Sequence, residues 1–496
     1  MSVGSTKASS FALKKETVIG DYLAPTAGTD FVPLRPGNEL SYEPEQLTSD
    51  ELQNDIGETK GATGKEIVKG KHSAYLKHSG VEGDEPALGI LWESLLGSKT
   101  VNAVEYATVS SSTSTVIKVS NGASFYVGQA LLIKDSTNGY SLRNIKSIAT
   151  NDLTLNFELD AAPASGVNLG KVITYIPVSS GHPTFSTTKY LGGGFAIEAS
   201  AGNTVTELSV KADANGYAEA EFSYEGTKYF YNALIVTNSN KYIDFTDDAG
   251  TFAAQVAVQT YKTPMDLAVA IELALNAAST KTYTCVYLND TGKFTISSDS
   301  TVLSLLWNTG ANTANSIKTL IGFANTDDTG ATSYTSDVEL SYSPSVTPSY
   351  ENAENIVVKG AELFVGSPTD NMCICAQAVS VKITKAVEDV DCICEETGIS
   401  EKIATGRSVE LTATATMKKH DVNLLDALLN NKSISAMLNV GPKSAGNWVA
   451  GKSVNFYLKN CTVSAFKTTG ESFLQVDITL RGFVATGEKD IYVNFV

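Results

Sequence analysis

A mainly β chain of several domains is what the sequence predicts, on three observations. Short runs alternate apolar and polar residues and favour β-branched and aromatic side chains. Gly, Asn, Asp and Ser punctuate those runs, and helical stripes are few. The 496 residues provide for about three to four domains. With 42% apolar and 18% charged residues, the composition is that of a chain that folds.

Alternation is clearest at residues 217–224, 379–384, 409–416, 454–458 and 474–480. The best helical segment is 263–278, where Thr263 serves as N-cap, Pro264 opens the helix and Asp266 sits at its third position. Leu267, Ile271, Ala274 and Leu275 then share one face, suited to packing on a sheet. Shorter helices are expected at 88–96 and 422–429. The glycine-dense Leu191-Gly192-Gly193-Gly194-Phe195 lacks the helix start of a phosphate cradle and reads as a connection between strands.

Two segments repeat. Lys60-Gly-Ala-Thr-Gly64-Lys65 returns as Lys402-Ile-Ala-Thr-Gly406-Arg407, an offset of 342 that sets Ile67 against Val409 and Lys77-His78 against Lys419-His420. An acidic stretch precedes each copy: Glu45, Asp50, Glu51, Asp55 and Glu58 in one, Glu388, Asp389, Asp391, Glu395 and Glu396 in the other. Residues 203–226 and 460–482 form a second, looser match. A duplicated β domain is expected, interrupted by a small β module at 101–179 and an α+β module at 233–337. The first module should carry strands around Val127-Gly128-Gln129 and 152–157.

Charge and motifs narrow the function. Lys and Arg total 37 against 54 Asp and Glu, a net −17 that argues against a nucleic-acid binder relying on a basic patch. No apolar run reaches the ~20 residues of a membrane-spanning helix, and the N-terminal residues lack a signal-peptide core. The pairs Cys373/Cys375 and Cys392/Cys394 are read as small apolar strand residues, with a metal site or a disulfide as the lesser alternatives, because Cys-x-Cys is tighter than a zinc knuckle. His72, His78, His182 and His420 form no ligand spacing. No catalytic motif emerges, and no cofactor or metal site is expected.

Phe11-Ala-Leu-Lys-Lys-Glu-Thr17, the Gly/Pro/Thr-rich arm to Val32-Pro-Leu-Arg35, the acidic loops leading into Thr63-Gly64 and Thr405-Gly406-Arg407, and His182-Pro183 followed by strands ending at Gly226 together resemble the tail tube proteins of tailed bacteriophages. The resemblance covers about residues 11–100, 180–232 and 338–496. It implies two tail-tube β-sandwich or barrel domains, each with a short flanking helix: 1–100 plus 180–232, and 338–496. It further implies trimeric, pseudo-sixfold rings stacked into a tube within the virion tail, assembled in the bacterial host cytoplasm. Partners would be further copies and the tail terminator, tail tip and tape measure proteins. Double-stranded DNA would be transient, non-sticking cargo. The acidic residues at 43–62 and 385–404 become inter-ring loop candidates, and outward modules favour a non-contractile tail. The competing expectation is a carbohydrate-binding or adhesive surface or fibre protein, with Trp92, Trp307 and Trp448 among its sugar platforms.

Overall fold

The computed structural model describes residues 8–49, 60–344, 346–367, 371–416, 422–469 and 474–496. The fold is mainly β. Its first half runs β1 (Ser10–Lys15), β2 (Glu39–Tyr42), β3 (Val68–Tyr75), α1 (Gly89–Leu96), β4 (Phe185–Leu191), β5 (Ala196–Asp213), β6 (Glu219–Gly226) and β7 (Lys228–Tyr231). Helix α2 (Pro264–Ala278) lies between the halves. The second half runs β8 (Glu362–Gly366), β9 (Ala376–Asp391), β10 (Ile399–Thr416), α3 (Val422–Leu429), β11 (Ile434–Val440), β12 (Val454–Thr469), β13 (Gln475–Gly482) and β14 (Tyr492–Phe495).

The same antiparallel pairings occur in both halves. β2 pairs with β3, β3 with β6 and β6 with β5; β5 then turns to pair with β4 and β7, and β4 with β1. Likewise β9 pairs with β10, β10 with β13, β13 with β12, β12 with β11 and β14, and β11 with β8. Even the bulges coincide. Register shifts between Val205 and Glu207 on β5, and between Val463 and Ala465 on β12. It shifts again between Phe185 and Thr187 on β4, and between Ile434 and Ala436 on β11. A bulge adds a residue and bends its strand, so β5 and β12 can each serve two sheets.

The ladders correct the sequence alignment by one residue. Tyr42 lies opposite Val68, and Ile383 opposite Val409, so the counterpart of Val409 is Val68 rather than Ile67. Both valines are fully buried, whereas Ile67 is half-buried. The second copy of the Lys-x-x-Thr-Gly likeness lies within β10, in the stretch paired with the hairpin part of β9 where no residue from 402 to 407 is buried, and one residue of slip exchanges the faces of a strand. The positions corresponding to His78 include Lys419 and His420, which lie outside the described residues.

One core joins the two halves. Trp92 on α1 is 1% exposed and meets Phe222 of the first half edge-on at 5.3 Å and Phe495 of the second at 5.5 Å. Helix α1 ends on Gly97, whose φ of 98° gives the left-handed cap that glycine adopts most readily.

The two modules keep their own cores. Ile117, Leu131, Ile145 and Leu153 fill the first, and Ile243, Leu267, Ile271 and Trp307 the second. The first is anchored by strands Gly97–Asn102 and Val172–Pro177, which pair with each other and, through the latter, with β14. The expected limits of 101 and 179 therefore fall within and just beyond this anchor. Residues 127–129 form a turn, with Gly128 at φ 88°, and the strand begins at Ala130. A buried amide ladder completes the docking: Asn144 donates to Asn455 (2.8 Å), Asn455 to Asn439 (2.7 Å), and Asn494 to Asn455 (2.9 Å).

Candidate assembly edges and hairpin

Eight consecutive strands form the sheet that positions the candidate site: β2, β3, β6, β5, β9, β10, β13 and β12. The halves meet inside it where β5 pairs antiparallel with β9, from Glu207 opposite Thr384 to Asp213 opposite Ala378. Leu208, Val210, Val381 and Ile383 bury their side chains at this junction. Alternation sends the neighbouring residues to the other face.

That other face is polar. It carries Ser73, Ser223, Ser209, Ser380, Thr412, Thr414 and Thr479, none of them buried. Its charges are mixed: Lys69, Lys71, Lys211, Lys382, Lys467 and Arg481 against Glu39, Glu43, Glu207, Asp213, Glu219, Glu221, Glu225, Glu410 and Asp477. Several are paired, as Lys71 with Glu221 (2.8 Å), Lys382 with Glu207 (2.9 Å) and Arg481 with Glu410 (2.5 Å). With nine acidic side chains to six basic, this surface carries the two signs in about the proportion of the whole chain.

Both ends of the sheet are open. Among the described residues, β2 pairs with β3 alone, and the Val463–Thr469 part of β12 with β13 alone. Tyr42 on the first edge is 38% exposed, and Phe466 on the second is half-buried. An edge presents unsatisfied N–H and C=O groups and is a template for another strand. Sequence reasoning missed Glu39, Tyr42, Phe466 and Lys467; their alternation was readable, but edge position is set by tertiary pairing.

The acidic candidates divide. Glu45 is exposed beside β2, while Asp50, Glu51, Asp55 and Glu58 lie outside the described residues. Glu388, Asp389 and Asp391 belong to β9, and Glu395 and Glu396 lie in the turn between β9 and β10. This hairpin leans on the first half of its own chain and on the segment leading into α2. The Glu66 N–H donates to the Thr397 carbonyl (3.1 Å), Lys65 pairs with Asp391 (2.5 Å) and Lys262 with Glu396 (2.9 Å). The tip remains free: Ile393 is 103% exposed.

At the hairpin's base, Lys385 is buried and donates to the Ser94 carbonyl and to Thr204 Oγ1, both at 2.7 Å. Burial, aided by the nearby Arg407 cation, pushes its amine down to about 7. Arg407 itself forks onto Asp490 with two bonds of 2.8 Å. Desolvation raises the Glu66 carboxyl beneath the tip. These contacts position elements and supply no nucleophile with its base.

The cysteine expectation fails in part. Cys373 and Cys375 are exposed, and Cys392 and Cys394 belong to the hairpin turn rather than to a strand, Cys394 being exposed. Only Cys285 and Cys461 behave as small core residues. Among the described residues no cluster of His, Cys, Asp and Glu could hold a metal. All three tryptophans are buried, so none is an exposed sugar platform.

No protein-family model and no curated protein matches the chain. Solved structures similar to parts of it include a chain from the virion of a native gene transfer agent particle, 12% identical, covering 25% of this chain and 92% of that one at a TM-score of 0.18. An Hcp protein is 8% identical, with coverage of 27% and 96% and a TM-score of 0.17. Hcp1 from Salmonella typhimurium is 11% identical, with coverage of 27% and 92% and a TM-score of 0.15. Scores this low leave the functional reading to the geometry of the chain itself.

Proposed function

We propose that this chain is a structural subunit that polymerises into a tube, in the manner of a phage tail tube protein. The observation that carries the reading is the eight-stranded sheet, open at both edges, with the junction of β5 and β9 at its centre. A copy set against either edge continues the sheet, and a ring of copies leaves no edge exposed. With two related halves per chain, three copies would fill the six places of the ring that the tail-tube resemblance implies, a trimeric, pseudo-sixfold arrangement.

In this reading the duplicated tube domains are 1–100 plus 180–232 and 338–496. Modules 101–179 and 233–337 project outward, which suits a non-contractile tail. The polar face lines the bore. Its charges, partly paired and with acids in excess, give double-stranded DNA little to adhere to, since unpaired charges act over only about 8–10 Å at physiological salt. The rings stack through the hairpin carrying Glu388, Asp389, Asp391, Glu395 and Glu396, with the corresponding loop of the first half. Terminator, tip and tape measure proteins would meet the ends and bore, within a virion tail assembled in the bacterial host cytoplasm. The chain performs no chemistry of its own.

Negative-stain imaging of the purified full chain tests this. Rings or tubes with a central bore are expected. Monomer alone at high concentration, also in the presence of a tail-tip extract, overturns the reading.

A further inference from the structure

We propose that the contact between neighbouring subunits is an antiparallel ladder with a definite register: Glu39 opposite Thr469, Leu40 opposite Thr468, Ser41 opposite Lys467, Tyr42 opposite Phe466, and Glu43 opposite Ala465. The occupant of each open edge is a second copy of this chain. This rests on the tube reading and adds the residue-level geometry of its subunit joint.

The argument transfers a junction visible within one chain to the two ends of its sheet. At that junction Glu207 faces Thr384, Leu208 faces Ile383, Ser209 faces Lys382, Val210 faces Val381, and Lys211 faces Ser380. The open strand β12 is the counterpart of β5. Both carry a bulge at the same point against their partners, and the bulged hydroxyls make the same bond: Thr206 Oγ1 donates to the Ser223 carbonyl (3.3 Å), and Ser464 Oγ to the Thr479 carbonyl (3.2 Å). Ala465 therefore stands for Glu207, and Thr469 for Lys211. The open strand β2 is the counterpart of the middle of β9, because Tyr42 faces Val68 as Ile383 faces Val409. Glu39 therefore stands for Ser380, and Glu43 for Thr384.

Two features of the open edges fit the transferred register. On the core face, Phe466 and Tyr42 come together where Leu208 and Ile383 are fully buried, covering two aromatic side chains that the single chain leaves partly exposed. On the polar face, Glu207 and Lys382 form their 2.9 Å ion pair along one diagonal of the internal junction. In the transferred ladder Ala465 and Ser41 take those two places, and the next diagonal of the same sense, where the internal junction has Ser209 and Ser380, carries Lys467 and Glu39, again opposite charges, with acid and base exchanged between the strands. A slip of one residue would bring Lys467 to the core face beside Tyr42.

Disulfide trapping in assembled full-length protein tests the register. Ser41→Cys combined with Lys467→Cys should give, under mild oxidation, covalent oligomers beyond the wild-type background on a non-reducing gel. Ser41→Cys combined with Thr468→Cys places the thiols on opposite faces and should stay at background. In parallel, Lys467→Glu should raise the concentration needed for assembly at least about tenfold, and adding Glu39→Lys should restore most of that loss. Trapping with Thr468→Cys instead, or no rescue by the second charge, overturns the register while the rings themselves still form. Wild-type protein that never forms rings overturns both the register and the tube reading.

Discussion

His72 sits on the core face of β3, where the corresponding position of β10 holds Ala413. Its ring lies 4.7 Å from that of Tyr224, its Nε2 is 3.2 Å from Thr187 Oγ1, and its Nδ1 has no partner. Burial, with the nearby Lys189 adding to it, pushes the imidazole down to about 3, against about 6.5 in an unfolded chain. Between those values the unfolded chain binds the extra proton, so stability rises with pH and is lost on acidification from about 6.5 towards 3. His78, held down to about 4 by burial, acts in the same direction. Replacing His72 by Phe should flatten the dependence by up to about 1.4 kcal/mol per pH unit in that window. Urea unfolding between pH 4 and 7 measures it, and parallel curves for the two proteins would refute the assignment. The same neighbourhood shows why the repeat is faint in sequence. Gly70 faces Tyr224, whose ring would lie 2.1 Å from an added Cβ, whereas the second half fills the same place with Leu411 facing Leu480. Volume is conserved across the pair and identity is not.

At the scale of elements, the helices were the most legible parts. Residues 263–278 carry a cap, an opening proline and an apolar stripe, and α2 begins at Pro264 as that pattern requires. The Thr263 Oγ1 accepts from the Asp266 N–H (3.2 Å) while the Asp266 carboxylate accepts from the Thr263 N–H (3.0 Å), a reciprocal capping box. Thr263→Ala should destabilise this helix by about 1 kcal/mol, seen as roughly fivefold faster amide exchange across its first turns. Unchanged exchange would mean that packing alone holds that end. Strands were recognised by alternation but underestimated in length: 454–458 proved to be the start of β12, which runs to Thr469. Its continuation passes a bulge, and a bulge breaks the alternation by which strands are recognised.

At the scale of the molecule, the hairpin between β9 and β10 supplies the next prediction. In the proposed tube, the fully exposed isoleucine at its tip would be covered by an adjoining ring, worth about 1.5–3 kcal/mol when fully buried. Ile393→Glu should leave rings intact and shorten or abolish tubes, as judged by the length distribution in electron micrographs. Tubes of wild-type length would remove this hairpin tip from the stacking contact. The edges and the tip are separate surfaces, so closure and stacking should fail independently.

The sequence by itself determined the β class and the three helices, because these follow from local periodicity and capping chemistry. Tertiary structure decided how the strands of the two halves pair, which strands stand at the edges, and which charges share the polar face. Those properties depend on pairings between residues far apart in the chain. Alternation alone does not choose a neighbour, and one residue of slip in that choice carries every side chain through the sheet.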